Sequence, residues 1–217
     1  MLLKGGGDKF SSILKRYSCA DLMRLVYCMI RTKLISKKAR LIRIPIDIRG
    51  RQYIDWGDRL TTGIGDRLEA FSRQGDNECK IIFGRNVQIN DYVHICAMEK
   101  VVIGDNVLIA SHVYISDNSH GYYKGTIEDS SPQIPPINRD YHTSPVCIGD
   151  NVWIGEGVMI MPGVTIGDGS VVGAHSVVTT DIPDNCIVVG APARIIKKYD
   201  FLRMGWFRTD ACGNYLE

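Results

Sequence analysis

A large apolar, mostly β-branched residue returns every sixth position through most of this chain. The first series is Phe83-Gly84, Ile89-Asn90 and Ile95-Cys96. A two-residue slip leads to Ile103-Gly104, Ile109-Ala110 and Ile115-Ser116, and a long interruption separates these from Ile148-Gly149, Ile154-Gly155, Ile160-Met161, Ile166-Gly167, Val172-Gly173 and Val178-Thr179. A period of six matches neither the 3.6 of an α-helix nor the plain alternation of a long strand. It fits short strands separated by corners. Three hexads close a triangular coil of about 18 residues, and coils stack at the strand spacing of about 4.8 Å. The apolar residue points inward at each step. Gly, Asp and Asn fill the corners, as in Ile103-Gly-Asp-Asn and Ile148-Gly-Asp-Asn, where β-branched residues tolerate the backbone angles poorly. A sandwich of short strands would not demand so strict a phase. The expected fold is all-β, a parallel β-helix of about four coils, with an irregular first coil starting near Ile46 and marked by Ile48, Ile54 and Leu60.

The repeat divides the chain into a basic N-terminal segment (1–45), the β-helix (46–198) with an inserted loop (119–145), and a short C-terminal cap (199–217). Phe10, Ile13, Leu14 and Tyr17, then Leu22, Leu25, Val26, Met29 and Ile30, follow helical spacing, so one or two amphipathic helices are expected there. They are read as capping the open edge of the coil, which would otherwise invite strand pairing; docking on a membrane is the alternative. Charge sharpens that choice without deciding it. Residues 1–51 hold 13 Lys or Arg against Asp8, Asp21 and Asp47, whereas the rest of the chain is acidic. Such a head suits an anionic membrane surface or glycan, a solvated helix face, or the acidic body of the same protein; nucleic-acid binding is not read from it. Leu22–Ile30 is too short to span a bilayer and does not look like a signal peptide, so a cytoplasmic location is expected. The seven scattered cysteines form no C-x-x-C pair, which argues against a disulfide framework or zinc ribbon.

The repeats end in Val188-Val-Gly-Ala-Pro-Ala-Arg194 after Val177–Pro183, and with Val101–Ile115, Ser119-His120 and Ile148–Gly155 they resemble the hexapeptide-repeat acetyltransferases. The resemblance covers roughly residues 81–198 and is greatest to galactoside, maltose and bacterial polysaccharide O-acetyltransferases. It implies a left-handed coil, a homotrimer with active sites between neighbouring subunits, acetyl-CoA as co-substrate and a sugar or glycan acceptor. Acetyl transfer to an alcohol needs a base for the hydroxyl proton and donors for the oxyanion. Histidine suits the first task near neutral pH. His120 closes the second series where regular coils give way to the insertion, and the resemblance makes it the general base. Trp153 matches an aromatic residue beside the active site, stacking on substrate or cofactor; a surface aromatic at the trimer seam is the alternative.

The resemblance also lays the pantetheine arm along Gly155, Gly173 and Ala174, with Arg194, Lys197 and Lys198 toward the CoA phosphates. Asp117 and Asn118 either contact the acceptor or stabilise a corner, the stretch Asn90–Met98 departing from the galactoside pattern. Tyr122, Tyr123 and Arg139 in the Pro-rich insertion suit a sugar acceptor, and His142 could approach it; a loop of this length is commonly functional. His94, His112 and His175 are read as structural. A metal site would need converging histidines, such as His-x4-His, and none is spelled, so no metal is expected. Direct transfer without an acyl-enzyme is expected, since no Ser or Cys carries a nucleophile motif. The competing readings are an acetyltransferase for a small molecule (free sugar, amino sugar, serine or antibiotic) and a non-catalytic β-helix scaffold.

Overall fold

The computed structural model describes residues 18–72, 75, 77–210 and 213–216. They form a parallel β-helix with three flat faces. One face stacks Ile46–Arg49, Asp66–Ala70, His94–Ala97, Tyr114–Ser116, Met159–Ile160 and Val177–Val178; the second stacks Ile54–Asp55, Ile81–Phe83, Val101–Ile103, Val146–Ile148 and Thr165–Ile166. The third runs from Gln88–Ile89 through Leu108–Ile109, Trp153–Ile154 and Val171–Val172 to Cys186–Val189. The register is that of the repeat, with Ile89 beside Ile109, Ile109 beside Ile154 and Ile154 beside Val172.

Each hexad buries two residues rather than one. Besides the branched residue that marks the repeat, the position two before it faces inward: Val87 with Ile89, Val93 with Ile95, Val107 with Ile109, Val152 with Ile154, Val158 with Ile160. Strand alternation requires this, because residues two apart share a face. Ser170 and Ser176 occupy that inner column near the top. Their hydroxyls donate to the carbonyls of Pro183 (2.8 Å) and Gly173 (2.7 Å), which satisfies them inside the prism.

The corners divide their work differently from the expectation. Positive φ falls on the third residue after the inward one, as at Asn86, Asn106, Asn151, Asn185, Gly157 and Gly169. The repeated Gly-Asp pair serves coil stacking. A Cβ at Gly104 would lie 2.7 Å from the carbonyl carbon of Gly149, and one at Gly149 would lie 2.2 Å from an Asp168 carboxylate oxygen. Each Asp accepts a backbone N–H from the coil before it: Arg85 to Asp105, Asp105 to Asp150, Asp150 to Asp168 and Asp168 to Asp184, at 2.6–2.9 Å. A ladder of carboxylates thus climbs the edge between the second and third faces.

The coil begins before Ile46, since Leu41 already bridges Thr61. A single helix is described in the N-terminal segment, Cys19–Ile35, opened by a capping box between Ser18 and Asp21. Phe10–Tyr17 lie outside the described residues. Cys28 and Thr32 bury one side of the helix, and Thr32 Oγ1 accepts the Ile42 N–H at 2.8 Å. At the other end Arg194–Asp200 pairs antiparallel with Cys186–Val189 and with Gly205–Arg208, so one strand crosses the boundary expected at residue 198. Among the described residues no helix is long and apolar enough to cross a membrane.

Candidate active site

The insertion leaves the prism at the edge between the first and second faces, after Tyr114–Ser116 and before Val146–Ile148. It departs and returns as an antiparallel pair, Asn118–His120 against Tyr141–Thr143, which places Ser119 opposite His142 and His120 opposite Tyr141. The His120 side chain is exposed, and its ring lies 4.4 Å from that of Tyr141, centroid to centroid. Its main chain is held too. The Tyr123 hydroxyl donates to the His120 carbonyl, and Arg139 donates to the Tyr123 oxygen at 2.6 Å while its guanidinium sits 5.9 Å from the same ring. Tyr122 packs edge-on against His142 at 4.5 Å. Beyond these rings opens a cavity of about 630 Å³ lined by Tyr122, Glu128, Arg139, Asp140, Tyr141 and His142. The structure therefore gathers His120, Tyr122, Tyr123 and Arg139 on one platform, with Tyr141 added.

Asp117 does something else. It is fully buried, and its carboxylate accepts the backbone N–H groups of Met98, Glu99 and Lys100 at 2.7–3.1 Å. Those are the residues of the two-residue slip in the repeat, so Asp117 pins an irregular corner one coil below and presents no carboxylate to an acceptor. Asn118 leans on the same corner, its amide donating to Asp117 at 3.0 Å and contacting Cys96 Sγ at 3.4 Å. Of the two readings open for Asp117, corner stabilisation is the one the geometry carries.

Gly155 also departs from expectation. It is buried, and a Cβ there would meet the Ala174 nitrogen at 2.7 Å. The next coil by itself requires glycine at this position. Gly173 is half-buried and Ala174 exposed on the same edge, between the third and first faces. Arg194 is exposed and Lys197 and Lys198 are half-exposed on the closing strand, so those three cations remain chemically suited to phosphate.

Trp153 is exposed on the third face, in register with Leu108 and Val171. The edge that carries His120 is the one opposite that face. One copy of the chain therefore does not bring His120 and Trp153 into a common cleft.

A second polar cluster, absent from the sequence reading, lies lower on the first face. Glu69 is bonded by Arg49 (2.9 Å), Arg67 (2.8 Å) and His94 (2.8 Å). Although burial opposes it, the bonds from Arg67 and His94 hold its carboxyl below the usual range. These residues stand one above another because the strands are in register.

With this geometry in view, similarity to known proteins becomes specific. Residues 148–180 match the family described as bacterial transferase hexapeptide (six repeats). The chain is 45% identical over 192 residues to WbbJ of Escherichia coli K12, named as a lipopolysaccharide biosynthesis O-acetyl transferase, spanning 88% of this chain and 95% of that one. Among solved structures, a variant of AntD, an N-acyltransferase from Bacillus cereus in complex with dTDP-4-amino-4,6-dideoxyglucose and coenzyme A, superposes with a TM-score of 0.64. Its identity is 26%, over 80% of this chain and 90% of that one. A maltose O-acetyltransferase from Clostridium difficile 630 gives 0.54 at 32% identity, over 82% and 88%. The chain belongs to the hexapeptide-repeat acetyltransferase superfamily. It is an acyltransferase, and the scaffold reading falls away.

Proposed function

We propose that this acyltransferase carries the acetyl group of acetyl-CoA to a hydroxyl of a sugar in a bacterial surface polysaccharide, such as an O-antigen or capsule, or in its precursor. The observation that carries this reading is the 45% identity to WbbJ across 95% of its length. His120 is the general base. It takes the hydroxyl proton as the alcohol oxygen attacks the thioester carbonyl; the tetrahedral intermediate collapses with cleavage of the C–S bond, and the proton passes to the departing thiolate. Acetyl transfer is direct, within a ternary complex. Tyr141 packs on the His120 ring and the Arg139–Tyr123 pair braces its carbonyl, which restricts the imidazole to a narrow range of directions.

The coil is left-handed and the working form a trimer. Opposite placement of His120 and Trp153 supports a site made by two chains, one giving the histidine platform, the other Trp153 with Gly173, Ala174, Arg194, Lys197 and Lys198 along the CoA. The acceptor enters between Tyr122, Tyr123 and Arg139, over Asn118. The reaction is cytoplasmic, and the basic N-terminal segment meets the membrane that carries a lipid-linked acceptor.

The likeness to AntD, whose complex contains a dTDP-linked amino sugar, supports a second reading in which the acceptor is an amine. Alkali separates the two. Incubation with acetyl-CoA and a panel of nucleotide-linked, lipid-linked and free sugars should yield an acetylated glycan whose label is released by mild base, as an ester is. A base-stable product establishes the amide, and no product from any sugar contradicts both readings.

A further inference from the structure

The helix Cys19–Ile35 has two apolar sides. Leu25, Cys28, Thr32 and Ile35 face the coil, half or fully buried. On the opposite side Met23, Val26, Tyr27, Ile30 and Leu34 follow i, i+3, i+4, i+7, i+11 spacing and are 55–74% exposed. That spacing makes one continuous stripe. Scattered exposed apolar residues are ordinary; a contiguous stripe on a well-capped helix marks a surface that is covered in use.

Position and charge identify the cover. The hydrogen bonds joining the helix to the coil fall on Ala39, Ile42, Ile44 and Arg51, all in the first coil. The helix thus sits at one end of the prism, with its stripe turned from the coil. Residues 18–43 carry Arg24, Arg31, Lys33, Lys37, Lys38, Arg40 and Arg43 against Asp21 alone. Arg24 lies near Asp21 and donates to the Ile44 carbonyl, and Lys33 donates to the carbonyls of Lys37 and Ala39, while Lys37, Lys38 and Arg40 are exposed. An exposed apolar stripe on a segment whose Lys37, Lys38 and Arg40 are exposed and make no ion pair among the described residues is complementary to a bilayer interface bearing anionic headgroups, where acyl chains take the stripe and phosphates the cations.

We infer that Met23, Val26, Tyr27, Ile30 and Leu34 form a membrane-docking stripe that seats the protein on an anionic lipid surface. In the trimer of the proposed function, cyclic symmetry sets the three stripes at one height, so they meet a flat surface together and add avidity. The docking itself stands apart from the chemistry and can fail without it.

Flotation of the full chain with vesicles tests this. Wild type should float with equimolar phosphatidylcholine and phosphatidylglycerol and remain behind with phosphatidylcholine alone. Met23→Ser with Ile30→Ser, and separately Lys37→Glu with Lys38→Glu, should each weaken flotation at least about tenfold. Thiol release from acetyl-CoA with a soluble acceptor should stay at the wild-type rate in both, which shows that each variant folds. Equal flotation of wild type and both variants overturns the inference, as does absence of flotation. Dissociation of the Met23/Ile30 variant to monomers, seen by light scattering, with vesicle binding intact, makes the stripe a subunit contact and overturns it too.

Discussion

His120 and Tyr141 face each other across the two-stranded stem of the insertion, with ring centroids 4.4 Å apart. The contact joins the proposed base to the far end of a long excursion, so the ring's direction depends on the stem staying paired. Tyr141→Ala should lower kcat about tenfold or more while leaving the KM for acetyl-CoA unchanged. Tyr141→Phe, which keeps the ring, should retain most of the activity. Steady-state kinetics on the two variants checks this; a raised KM for acetyl-CoA with normal kcat would place Tyr141 in cofactor binding instead.

Asp117, three residues before the proposed base, bears on stability. Its carboxylate accepts three backbone N–H groups in the corner Met98–Lys100. Removing it strands those donors, and each unsatisfied buried group costs roughly 1–3 kcal/mol. Because the donors are part-buried and water can reach some of them, Asp117→Ala should lose about 1–3 kcal/mol in urea unfolding, with Asp117→Asn between it and wild type. An Asp117→Ala protein of normal stability but raised acceptor KM would return the residue to the acceptor site.

Asp66 gives the protein an unusual response to pH. It is fully buried, Oδ1 accepts the Val93 N–H at 2.9 Å, and Oδ2 has no hydrogen-bond partner among the described residues. Burial pushes its carboxyl up to about 7 from 3.8, against the pull of the backbone N–H groups. Between those values the folded chain holds a proton that the unfolded chain has released. The associated stability is therefore fully present below about pH 4 and lost as pH rises through about 7. Carboxylates held low, such as Asp105 and Glu69, act in the opposite sense at more acid pH, which leaves pH 5–8 as the diagnostic window. Tm should fall across that window in wild type. It should vary less in Asp66→Asn, which keeps an acceptor for Val93 and carries no charge at any pH.

The β-helix was legible because its geometry writes itself into the sequence: a strand of two or three residues and a fixed corner admit one period. Less legible was the division of labour within the hexad. The second inward column is Val at 87, 93 and 107 but Ser at 170 and 176, so hydropathy alone breaks it. Gly155 has the residue type that a ligand contact needs, yet its packing partner lies one coil away at Ala174, which no local pattern reveals. The same holds for Asp117, whose neighbours in sequence suggested an acceptor while its bonds reach back to Met98–Lys100. His120 was marked by its place where the regular coils give way to the insertion. Its pairing with Tyr141 follows from the register of a stem whose connecting loop carries no two-residue hairpin signature.

His120 on one edge and Trp153 on the opposite face predict a functional test of the shared site. His120→Ala and Trp153→Ala proteins, each weakly active alone, should complement when co-assembled from an equal mixture. In a trimer whose sites each draw one residue from each of two chains, about a quarter of the sites recover an intact pair. Recovery after refolding together, and none after simple mixing of stable trimers, is the expected outcome. No recovery in co-assembled trimers would mean that both residues serve a site within one chain, or that Trp153 serves none.

The most direct test of the central claim is thiol release from acetyl-CoA in the presence of an accepted sugar, comparing wild type with His120→Ala. Loss of general-base assistance should reduce acceptor-dependent turnover at least about a hundredfold, with trimer mass and CoA binding unchanged. Turnover within a few-fold of wild type in a folded, CoA-binding His120→Ala protein would contradict the account at its centre, because the stem, its braces and the shared site are all interpreted as serving that imidazole.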